Sequence, residues 1–242
     1  MHCQRALRLL IGLVAPYLWD MSSPLSQRLR TETAPSHRLA ERSGIMRDIL
    51  HGRITRSEYV GLLADLLVVY LALEGALESH AASPLVAPFD FAALARAPAI
   101  ADDLGALLAR ESDVGVAWPV SPAAQAYAAA IAAADAPELV AHAYVRYLGD
   151  LSGGQVLRKI IGRALTLEGE SGLTFYSFPL IADLPAFKDR FRESLDALPL
   201  TDSESDRLVA EAVRGFALNI SLFEAAETRR PSSAGPRPPL DA

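Results

Sequence analysis

The chain has a single cysteine, Cys3, near one end of its 242 residues. That excludes an internal disulfide framework and any multi-cysteine zinc site, and it suits a reducing, cytoplasmic compartment. Long basic blocks are also missing, and the formal net charge is −6. Binding nucleic acid needs concentrated Lys and Arg, so that partner class is set aside. Local Arg/Lys clusters leave room for a small anionic ligand. β-branched runs are scarce, and no GxGxxG fingerprint for a flavin or dinucleotide is present.

Long hydrophobic runs are short in supply too. Leu9 to Trp19 is apolar apart from Gly12 and Pro16, but a membrane-spanning helix needs about 20 such residues. The run follows a basic start like a weak signal peptide, without a clear small-x-small cleavage site. Met21 then opens a polar, helix-like sequence and is an alternative start, so residues 1–22 read as an extension. Residues 229–242 are rich in Pro and Ser and read as a disordered tail, and no stable membrane anchor is expected.

What the chain does have is Ala and Leu in quantity: 51% of its residues are hydrophobic and only 7% aromatic. Both are strong helix formers, and a helical period runs through residues 23–228 without an internal repeat. The expectation is one all-α domain. Its first helical region covers Pro24–Leu50, with Pro35 as a point of interruption. Thr55 and Glu58 have the spacing of a capping box for the next helix, through Tyr70 to about Glu78. Ala92–Leu108 and Pro122–Ala134 follow, separated by a Pro/Gly-bearing loop around Trp118. Pro137 suits the first turn of a helix reaching about Leu165. Leu184–Leu198 and Asp202–Ala226 complete the set.

The densest signal is the stretch from His142 to Gln155. At 100° per residue, Val140, Tyr144, Tyr147 and Leu151 form an apolar arc. His142, Arg146, Gly149 and Gly153 lie opposite, with Asp150 at the edge. Glycine costs about 1 kcal/mol in a helix interior relative to Ala. Three of them at 149, 153 and 154 imply that something must approach the backbone closely. Two occupants satisfy this: a second helix packed on small residues, or a flat ligand. Arg146 and Asp150 beside the strip argue against a purely apolar helix contact.

Five histidines are available. His2 lies in the extension. His51 and His80 follow helices and read as C-terminal cations favoured by the helix dipole. His142 sits two turns before Gly149 and reads as a surface or supporting residue. His37 has Glu41 four residues on, a spacing that lets a carboxylate fix a ring tautomer. The same spacing also stabilises ordinary exposed helices.

The segment His142-Ala-Tyr-Val-Arg-Tyr-Leu-Gly-Asp-Leu-Ser-Gly-Gly-Gln155 closely resembles the signature of the heme oxygenase family. The likeness extends from about Leu25 to Glu227. It implies a helical fold of the soluble, bacterial type that holds heme between a proximal helix and a distal helix kinked at Gly149 and Gly153. His37-Arg-Leu-Ala-Glu41, followed by Met46 and the Gly52-Arg-Ile-Thr55 turn, resembles the proximal helix, which makes His37 the implied iron ligand. On the other side Asp150 is the counterpart of an aspartate that supports proton delivery to bound oxygen through ordered water. Tyr70, Arg146 and Asn219 match its hydrogen-bond network. Val120 stands where many relatives carry a tyrosine, which implies a looser water network.

Arg30, Lys188 and Arg192 match cations that hold the heme propionates, whereas Ala34 replaces a lysine of some relatives. Tyr144, Phe216 and Phe223 match positions around the heme. The implied reaction takes heme, as substrate and cofactor, with O2 to biliverdin, carbon monoxide and ferrous iron. Electrons must then come from a separate reductase or ferredoxin. A heme-binding or storage protein without turnover is the alternative. A thiamin-handling relative is disfavoured by the absence of a cysteine nucleophile in the domain.

Overall fold

The computed structural model describes residues 23–109 and 119–228. The extension, the tail and the loop around Trp118 lie outside them. The described residues form α1 (Leu25–Glu41), α2 (Gly44–Leu50), α3 (Arg56–Ser79), α4 (Ala97–Leu108), α5 (Pro122–Ala132), α6 (Ala136–Ala164), α7 (Leu184–Asp196) and α8 (Asp202–Thr228). Two 3-10 turns, Ala92–Leu94 and Thr174–Tyr176, complete them, and these residues include no strand. The all-α expectation holds.

Helix starts follow the local chemistry. Thr55 Oγ1 accepts the Glu58 amide hydrogen at 3.3 Å, and the Thr55 amide donates to Glu58 Oε2 at 2.8 Å, closing the expected capping box. Asp135 and Glu138 build the same device at the start of α6, which places Pro137 one residue after the first helical position. Ser121 and Asp183 cap α5 and α7.

Several boundaries differ from the sequence expectation. The first helix passes through Pro35 and breaks later, at Arg42 and Ser43. Pro35 sits on the exposed side, while Leu25, Leu29, Thr33 and Ala40 are buried, so packing against α8 carries the helix past one lost backbone bond. The chain re-enters α2 at Gly44 with φ +48°. Ala92–Leu108 is likewise two elements. The amides of Arg96 and Ala97 both donate to Glu74 Oε1, at 2.5 and 3.1 Å, so a carboxylate from α3 caps a fresh helix start. Finally, α5 and α7 end two residues earlier than expected, at Ala132 and Asp196, and α8 runs two residues longer.

α3 is apolar on nearly all sides and is long enough to cross a bilayer by length and composition alone. Here it is a core helix, packed by α4, α5, α6 and α8, with Leu63, Val69, Tyr70 and Leu73 fully buried. α8 is the second hub. It packs along both α6 and α1, and this joins the two helices that bear the expected site residues.

Candidate active site

A cleft of about 280 Å³ opens between α1 and α2 on one side and α6 on the other, with α8 as its floor. His37, Glu41 and Met46 face Gly149, Asp150 and Gly153 across it. Leu62, Leu66, Phe216 and Phe223 make most of the remaining wall apolar.

The bare strip on α6 is the feature that most needs a ligand. α6 is helical without interruption from Ala136 to Ala164. A Cβ added at Gly149 or Gly153 would meet no heavy atom within 4 Å. A helix packed on small residues would fill that space, so the helix-packing reading fails here. Gly154 is different, because its Cβ would lie 3.2 Å from the Tyr176 ring. The two open glycines face the cleft, where the strip can receive a flat molecule directly against the backbone.

One turn of α6 further in, a buried polar cluster begins. Asp150 is 8% and Arg146 6% exposed, and Tyr70 is fully buried. Arg146 donates from Nε and Nη2 to the Tyr70 hydroxyl at 3.2 and 2.9 Å, and from Nη1 to Asn219 Oδ1 at 2.6 Å. Tyr70 passes its own hydrogen to Asp150 Oδ2 in a short hydrogen bond. Arg146 Nη2 also lies 3.8 Å from Asp150 Oδ1. Burial pushes the Asp150 carboxyl above the usual carboxylate range, against the pull of Arg146 and Tyr70. Burial also pushes the Tyr70 phenol well above its ordinary value, so it remains a donor. For Arg146 burial opposes the charge, but Tyr70 and Asp150 outweigh it and the guanidinium stays ionised. The result is one carboxyl of raised proton affinity at the cleft wall, held by a fixed cation and a fixed phenol.

His37 lies on the cleft with its side chain 54% exposed. Its Nδ1 is 3.7 Å from Glu41 Oε1, longer than a hydrogen bond, and its ring meets Phe216 edge-on at 5.7 Å. His51 and His80 sit as expected beyond the ends of α2 and α3, with Nδ1 2.7 Å from the Arg47 carbonyl and 2.9 Å from the Ala76 carbonyl. His142 departs from expectation. It is fully buried rather than at the surface, with Nε2 2.9 Å from Glu211 Oε1. Gly215 on α8 packs beside it, where a Cβ would lie 3.3 Å from Val145 Cγ2 and in ordinary contact with His142 Nδ1 at 3.5 Å. The paired helix α8 turns an apparent surface position into a core one.

The basic residues expected near the propionates do not line the cleft. Arg30 and Arg192 are exposed, Arg192 pairs with Asp189 at 2.6 Å, and Lys188 is half-buried. Tyr144 is half-buried and faces Thr33, with Arg30 and Arg192 near enough to influence its phenol. Val120 packs against the core.

Sequence reading missed several residues. Leu62, Leu66, Phe175 and Tyr176 line the cleft, and Gly44 sets the entry to α2. Arg96, buried, holds the Thr174–Tyr176 turn through Nη1 bonds to the Phe175 and Ser177 carbonyls. The apolar residues carry no local signal that separates cleft from core. Gly44 lies inside the helical region expected over Pro24–Leu50, and a glycine within that stretch was the one local sign of the break there.

The site therefore defines a helical protein with an open apolar cleft, a histidine on one wall, and a bare backbone strip beside a buried carboxyl on the other. The chain belongs to the heme oxygenase family: the family model for heme oxygenase matches residues 23–225. It is 37% identical over 214 residues to heme oxygenase 1 of Nostoc sp., covering 86% of this chain and 87% of that one. Human heme oxygenase 1 is 39% identical over 214 residues, covering 85% and 72% of the two chains. Among solved structures, heme oxygenase from Leptospira interrogans superposes with a TM-score of 0.78 at 35% identity, over 84% of this chain and 99% of that one. Heme oxygenase-1 of Synechocystis in complex with heme gives the same score and identity, over 85% and 93%. The chain is thus an enzyme of the family that degrades heme.

Proposed function

We propose that this chain binds heme in the cleft between α1 and α6 and opens the macrocycle to biliverdin, carbon monoxide and ferrous iron. The observation that carries this reading is the open strip at Gly149 and Gly153, a cradle that any Cβ would partly fill, facing a histidine across an apolar cleft. When bound, heme supplies the iron and the oxygen chemistry. His37 would hold the iron through a ring nitrogen, and Glu41, 3.7 Å from its Nδ1, would orient the ring. Gly149 and Gly153 let the ligand lie against backbone and leave no side chain to hold space above it. Asp150 stores and returns a proton at its carboxyl, while Tyr70, Arg146 and Asn219 keep it in place. Arg30, Lys188 and Arg192, which lie outside the cleft lining, are the cations that would pair with the propionates.

Electrons come from a separate reductase or ferredoxin, O2 is the co-substrate, and the setting is cytoplasmic. Ferric protein loaded with hemin, given a reductant system and oxygen, should lose its Soret band and gain bilin absorbance. A Soret band that persists would leave a storage protein. His37→Ala should change the ferric spectrum from that of imidazole ligation and abolish turnover; an unaltered spectrum refutes the ligand assignment.

Gly149→Ala should move two measurements in opposite directions. With no atom near the added methyl, α6 gains helix propensity, and the heme-free protein becomes more stable by about 0.5–1 kcal/mol in denaturant unfolding. Hemin titration of the same variant should show several-fold weaker binding. Unchanged affinity would mean that the ligand does not lie on the strip.

A further inference from the structure

A second cavity, of about 490 Å³, lies away from the heme cleft. Tyr147 leaves α6 two residues before Gly149, which places the two on opposite faces of the helix. The cavity is bounded by the C-terminal part of α3, by the segment that leads into α4, and by Tyr147.

Its chemistry is unlike that of the cleft. Glu74, Glu78 and Asp90 supply three carboxyl groups, and among the described residues no Lys or Arg lines it. Phe89 and Phe91 stack with centroids 5.1 Å apart, and Phe91 meets Tyr147 at 6.0 Å. The nearby cation, Arg96, turns its guanidinium to the carbonyls of Leu94, Phe175 and Ser177. Tyr147 is fully buried, and its hydroxyl has no hydrogen-bond partner among the described residues. A buried hydroxyl left alone costs free energy, and native structures rarely tolerate one without a ligand or water nearby. Here it belongs to a residue that lines a cavity large enough for a small molecule.

We propose that this cavity is a second binding site, for a small organic monocation with an apolar body. Aromatic faces and carboxylates attract such a cation together, whereas three carboxyl groups repel an anion. A neutral apolar guest would strip water from the carboxylates and return nothing. The Tyr147 ring lies 5.9 Å from that of Tyr70, which donates to Asp150 on the side of the heme cleft.

The test uses the full, heme-loaded protein with benzyltrimethylammonium as probe. Its quaternary nitrogen has no lone pair for iron, and the heme already fills the cleft. Calorimetry should show saturable one-to-one binding with a Kd on the order of a millimolar or tighter. NMR shifts should centre on Phe91 and Tyr147. Glu74→Gln, which keeps an acceptor for the α4 amides, and the exposed Glu78→Gln should each weaken binding by roughly threefold or more. Failure to saturate, equal affinity for neutral benzyl alcohol, unchanged binding in both variants, or shifts centred on Gly149 would each overturn the proposal.

Discussion

Asp150→Asn should bind hemin nearly as well as the parent chain and form bilin on the order of a hundred times more slowly. The carboxyl sits at the cleft wall but bonds inward, to the Tyr70 hydroxyl and, more loosely, to Arg146. An amide keeps the shape and an oxygen for Tyr70 to bond, so the apolar cleft and His37 are untouched. It cannot take up and release a proton at physiological pH. The pH profile separates this role from a packing role. Because burial raises the Asp150 carboxyl, the parent enzyme should show an acid limb above the ordinary carboxylate range, and the variant should lose it. Single-turnover bilin formation from hemin-loaded protein measures both. A variant that turned over at the parent rate with the same limb would remove Asp150 from the proton path.

Gly44→Ala should destabilise the fold by about 3 kcal/mol or more, measured by denaturant unfolding of the heme-free protein. Two effects add. The residue has φ +48°, which a side chain with a Cβ adopts at a cost. The new methyl would also overlap the Phe223 carbonyl and the Glu224 nitrogen, both backbone atoms of α8 that no rotamer change can move. α2 would have to lift from α8. Since α2 carries Met46 and Ile49 into the cleft and α8 carries Phe216 and Asn219, heme affinity should fall together with stability. Gly52→Ala is the control. It has a similar φ of +67° but no neighbour within 4 Å of its Cβ, so it should cost only the conformational part, about 1 kcal/mol. Equal losses in the two variants would show that the α2–α8 contact is not the constraint.

His37 shows how far local pattern reaches. Its spacing to Glu41 is that of countless exposed helices, and only the family resemblance singles it out. The structure adds that it opens onto the same cleft as the glycine strip, and leaves Glu41 at 3.7 Å. His142 shows the opposite failure. Its position on the helical wheel suggested a surface or supporting residue, yet α8 covers it fully and brings Glu211 against it. A wheel shows the face of one helix and nothing of what covers it.

Composition and periodicity determined the class of this protein: Ala- and Leu-rich stretches with a 3.6-residue period and local caps favour helices through residues close in sequence. The sequence alone also marked the glycine strip, because three glycines within six residues of a helix cost too much to be incidental. Tertiary structure decided whether the strip stays open. Whether bare backbone meets another helix or open space depends on contacts between residues far apart in the chain, and those exist only once α1, α6 and α8 are packed together.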